Sequence, residues 1–90
     1  MKKLFQEFHK QNPKVYELFK RFAFELIDRG HNRIGSKMII ERIRYETHLT
    51  TTDPKFKINN NYTAYYARLF MHDFPHFEGI FFTREMKDEI

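Results

Sequence analysis

Between residues 13 and 29 apolar and charged positions alternate with the rhythm of a helix. Val15, Tyr16, Phe19, Phe22, Ala23, Leu26 and Ile27 fall on one stripe, and Lys14, Glu17, Arg21, Glu25 and Asp28 fall opposite. Asn12 is suited to cap this helix, Pro13 to open its first turn and Gly30 to stop it. Glu17–Arg21 and Arg21–Glu25 stand at i, i+4, which predicts ion pairs along the outer face. Ahead of it, Leu4, Phe5 and Phe8 predict a short helix over residues 2–10.

The same reading predicts two further helices. Ser36 is a cap for a helix over 36–47, with Ile39, Ile40, Ile43 and Thr47 inward and Lys37, Glu41, Arg44 and Tyr45 outward. A Thr-rich stretch with an Asp53-Pro54 turn follows, and the alternation of Phe56 and Ile58 with Lys55 and Lys57 suits a short extended piece. With Asn60 or Asn61 as cap, residues 61–73 form the last helix. Tyr62, Tyr66, Leu69 and Phe70 are its inner stripe, and Asn61, Ala64, Tyr65, Arg68 and His72 its outer one. Beyond Pro75, Ile80, Phe81 and Phe82 predict a short strand over 79–84, entered through Gly79. The expected fold is therefore a single mainly α domain over 1–90. Its element order is that of a small helix-turn-helix or winged-helix domain with a short C-terminal β-strand or hairpin, although the connection before the last helix is long for a simple helix-turn-helix.

Composition narrows the function classes. With 90 residues the chain makes one small domain, and with no cysteine it has neither disulfides nor thiolate metal sites. No apolar run is long enough to cross a bilayer, and the N-terminus lacks the apolar core of a signal peptide, so a cytoplasmic setting is expected. The formal charge of +4 permits an anionic partner. Eleven Phe and five Tyr are more aromatic side chains than a core of this size readily hides, which predicts that some lie at an interface. Phe5, Phe8, Phe24, Tyr45 and Phe77 are the candidates for such a patch.

The candidate chemistry sits where Asn59, Asn60 and Asn61 run into the last helix. Backbone N–H groups at a helix start favour phosphate, and an Asn side chain can hold an adenine edge. Arg68 can pair with guanine or phosphate, and Tyr65 can bond phosphate oxygens. Lys55 and Lys57 precede the cluster, Arg84 follows the strand, and Lys37 and Arg44 stand on the preceding helix. These ten residues are the predicted contact set for double-stranded DNA, with helix 61–73 as recognition helix. The plainer reading of consecutive asparagines is that they shape a turn and cap a helix. No nucleophile elbow, phosphate-cradling glycine loop or supported catalytic triad is present, so a non-enzymatic protein without a cofactor or metal is expected. His72, Asp73 and His76 lie close in sequence, but Pro75 separates the histidines.

Three segments, "IRYE" at 43–46, "FKINNNYTAYYARLF" at 56–70 and "FPHFEGIFFTRE" at 74–85, resemble those of a family of small proteins carried by bacteriophages and prophages. The resemblance covers half to two-thirds of the chain and carries no activity residue by residue. It implies a bacterial host cytoplasm and a protein acting on DNA or on a host protein. A module that binds and inhibits or redirects a host protein is thus the alternative expectation, and a homodimer would also cover exposed aromatics.

Overall fold

In the computed structural model the backbone is described for residues 2–50 and 57–81, and the side chains of all of these except 48–50. Four helices carry the fold: α1 (Lys2–Gln11), α2 (Pro13–Asp28), α3 (Ser36–Thr50) and α4 (Tyr62–Asp73), followed by a 3-10 turn at Pro75–Phe77. The helices begin and end within a few residues of the positions that periodicity predicts.

The helix ends explain themselves in chemical terms. At the end of α2, Gly30 N–H bonds Ile27 O at 2.9 Å and His31 N–H bonds Leu26 O at 3.2 Å. This reversed pairing satisfies the last carbonyls and requires a left-handed residue, which Gly30 supplies at φ 94°. Asn12 behaves differently from expectation. Its side chain makes no cap bond to α2. Its Nδ2 instead donates back to Phe8 O at 3.1 Å, closing the end of α1, while its own carbonyl receives Val15 N–H. The predicted Glu17–Arg21 and Arg21–Glu25 pairs are likewise replaced: Glu17 takes Lys20 at 2.9 Å, and Glu25 reaches across to Arg42 of α3 at 3.2 Å.

The core is aromatic, and α4 is at its centre. It packs against α1, α2, α3 and the 3-10 turn, burying Tyr62, Tyr65, Tyr66, Ala67 and Phe70. Val15, Phe19, Phe22 and Ala23 of α2 and Ile39, Ile40 and Ile43 of α3 complete it. Ile34, just before α3, and Phe81 form an isolated parallel bridge, with Ile34 N–H donating to Ile80 O at 2.8 Å. Within the described residues this bridge is the whole of the β structure; residues 82–84 of the predicted strand, and Phe56 of the predicted extended piece, lie outside them.

Among the described residues the aromatic surplus goes into the core, with Tyr45 the exception. Phe5, predicted as a patch residue, is only 2% exposed. Phe8, Phe24 and Phe77 pack partly buried against the core. Among the described aromatic residues Tyr45 alone is exposed, at 64%. Tilted and edge-to-face ring packing makes this possible: Phe70 meets Phe24, Phe74 and Phe81 at centroid separations of 5.2, 4.9 and 5.4 Å.

Candidate nucleic-acid interface

The edge where α4 begins is built by α3. Arg44 is half-buried at the α4-facing flank of α3. Its guanidinium pairs with Glu41 one turn earlier at 2.6 Å, donates to Ile58 O at 2.7 Å and donates to Asn60 Oδ1. A planar fork with several N–H donors is suited to such simultaneous bonds. Buried Ile58 pins the segment beneath, and Asn59, Asn60, Asn61 and Lys57 stand exposed above it.

Each asparagine has a different position in this edge. Asn59 Oδ1 accepts the backbone N–H of Asn61 at 2.9 Å, a local turn that aims the chain into α4. Asn60 carries the bond from Arg44. Asn61 is the cap residue by position, yet its side chain makes no cap hydrogen bond and its backbone is already helical, with φ −69° and ψ −16°. Two of the three side chains thus have structural partners, as the plainer reading anticipates, and the third projects from the helix start.

Placed on a helix at about 100° per residue, Asn61, Ala64, Arg68 and His72 share the arc of α4 that its neighbours leave open. Asn61 and His72 are exposed, and Ala64 and Arg68 half-buried. Tyr65 does not belong with them. It is 2% exposed and stacks on Phe5 of α1 at 5.1 Å between ring centroids, so the predicted phosphate contact is instead a core residue. Its place on the α4 wheel borders the open arc, and α1 supplies the wall that closes over it. Lys37 is exposed on α3, seven residues and about 10 Å along the helix from Arg44. Lys55 and Arg84, the remaining predicted contacts, lie outside the described residues.

The chain matches no protein-family model, no curated protein and no solved structure. Its chemistry rests on its own residues. Among the described residues no group of three or more His, Asp and Glu is placed to hold a metal ion, His72, Asp73 and His76 included. Asp73 has another role, accepting the Tyr16 hydroxyl at 2.7 Å. No described helix is long and apolar enough to cross a membrane.

A second surface feature was not anticipated as such. Met38 and Tyr45, seven residues apart on the outer side of α3, are 55% and 64% exposed. The signal was present in the sequence, because Met38 falls off the Ile39–Ile40–Ile43 stripe on the side that Tyr45 shares. Arg42 beside them is held by the Phe22 ring, 4.1 Å from its centroid, as well as by Glu25.

Proposed function

We propose that the chain is a non-enzymatic protein that binds duplex DNA through the start of α4 and the flank of α3 beside it. Asn61 and Arg68 read base edges, and Lys57 and Lys37 meet phosphates, while Arg44 holds the asparagine edge in place. The observation that carries this reading is the Arg44–Asn60 bond, which couples a cation of α3 to an exposed asparagine cluster at a helix N-terminus. An exposed amide side chain at a helix start is suited to adenine. Small Ala64 between Asn61 and Arg68 permits close approach of the helix to a groove. A bacterial cytoplasm is the setting proposed with this reading.

The direct test is fluorescence anisotropy with mixed-sequence duplex across a salt series. Affinity is expected to fall with salt, with a log–log slope of about −0.9 for each phosphate neutralised. Arg68→Ala or Asn61→Ala should each weaken binding by about 1–3 kcal/mol and relax sequence preference, while Lys57→Ala should lower affinity evenly across sequences. Absence of binding at low salt overturns the proposal.

One observation favours a second reading, a module that docks on a host protein. Met38 and Tyr45 offer an apolar pair on α3, and Tyr is enriched in interface hot spots. The predicted broad aromatic patch does not support it, since Phe5, Phe8, Phe24 and Phe77 are drawn into the core. The nucleic-acid reading therefore stands first.

A further inference from the structure

The contact between α1 and the rest of the fold is unevenly made. Phe5 is its one fully buried anchor, lying against Tyr62, Tyr65 and Tyr66 at 5.6, 5.1 and 4.8 Å between centroids. Beside it two polar atoms are sealed without a hydrogen-bond partner among the described residues: His9 Nδ1 on α1 and the Tyr66 hydroxyl on α4. They flank the same seam, for the His9 ring meets Tyr66 at 6.2 Å and Tyr16 at 5.3 Å. Buried polar groups are almost always paired, and leaving one unpaired forfeits its hydration.

The α2–α3–α4 body has ties of its own. Tyr16 of α2 is fastened to Asp73 of α4, Phe19 stacks on Tyr66 at 5.7 Å, and Arg44 ties α3 to the start of α4. Between α1 and α2 stands a single non-helical residue, Asn12, whose N–H and Nδ2 both bond back to Phe8 O. A ten-residue helix is too short to persist alone in water, so its order depends on docking.

We propose that α1 is a detachable strap. It turns about Asn12 and leaves the α2–α3–α4 body folded, hydrating His9 and Tyr66 and baring the Tyr62–Tyr65 flank of α4 next to Asn61. The strap is a property of the protein alone and stands or falls without DNA.

Native-state hydrogen exchange tests it. The amides of residues 6–11 should share one protection factor, at least about 10-fold below that of residues 67–71, because they open as a unit. Tyr66→Phe removes one of the stranded atoms and should raise protection across residues 6–11 by about 10-fold. Phe5→Ala should abolish protection in α1 while residues 67–71 remain protected. The proposal is overturned by a graded loss of protection towards the N-terminus, by exchange of α1 only through global unfolding, or by unchanged or lowered α1 protection in Tyr66→Phe.

Discussion

The two ends of α4 are buried by different chemistry. Its N-terminal half enters a cluster of Tyr16, Tyr62, Tyr65, Tyr66 and His9 around Phe5, whereas the rings around Phe70 at its C-terminal half are phenylalanines, Phe24, Phe74, Phe77 and Phe81, with Phe19 touching both Phe70 and Tyr66. Both exclude water, but only the first contains groups that must be hydrogen-bonded. Tyr16 meets that demand through Asp73, and Tyr66 does not. The phenylalanine end has only packing to satisfy, and the tyrosine end has packing plus polarity, so they should answer differently to truncation, to hydroxyl removal and to pH.

Truncation should have the largest effect. Phe70→Ala empties the hub of the phenylalanine end and is expected to cost about 3–5 kcal/mol in chemical denaturation, a large share of a small domain's stability. A loss below about 1 kcal/mol would mean that the rings there are not packed as a unit. Alkali should distinguish the ends next. Burial holds the Tyr16 hydroxyl proton well above the ordinary value of 10.0, helped by its bond to the Asp73 carboxylate and by the charges of Asp73 and Glu17. Burial, aided by Tyr62, does the same for Tyr66. A folded pKa above the unfolded one means that the proton is bound more tightly when folded. The stabilisation is therefore complete below pH 10 and is lost as the pH rises beyond it, by about 1.4 kcal/mol per pH unit for each tyrosine. Replacing both by Phe should flatten this decline, and an unchanged alkaline limb would contradict the assignment.

Smaller effects sharpen the contrast. Tyr16→Phe should cost about 1 kcal/mol, the net value of one hydrogen bond, because Asp73 is exposed and regains water. Gly30→Ala should cost about 1 kcal/mol by forcing a side chain into positive φ, an effect independent of either cluster. Tyr45→Ser should change stability by less than about 0.5 kcal/mol, since its ring faces solvent. Thermal and urea unfolding of the set would reveal any departure from this order.

The helices were legible because each has a local signal: the stripe of α2, the stop at Gly30 and the Ile39–Ile40–Ile43 face of α3. The burial of α4 was legible only in part: Tyr62, Tyr66 and Phe70 of the expected inner stripe are buried, but so is Tyr65 of the expected outer side. Periodicity divides a helix into an inner and an outer side, but α4 has neighbours on more than one side, and α1 closes over Tyr65. A hint existed in the near-unbroken apolar run from Tyr62 to Met71, which suits a central helix better than a surface one. The asparagines were only partly readable for another reason. A turn bond such as Asn59 to Asn61 follows from local spacing, whereas the Arg44–Asn60 bond joins residues 16 apart in sequence and exists only once α3 and α4 have packed.

The central claim, that DNA meets the start of α4, is most directly tested by titrating 15N-labelled protein with a short duplex and following amide shifts. The account predicts that the earliest and largest changes fall at Lys57, residues 59–64, Arg68 and Arg44, and that they weaken with added salt. No shifts at low salt, or shifts centred on Met38 and Tyr45 instead, would contradict it.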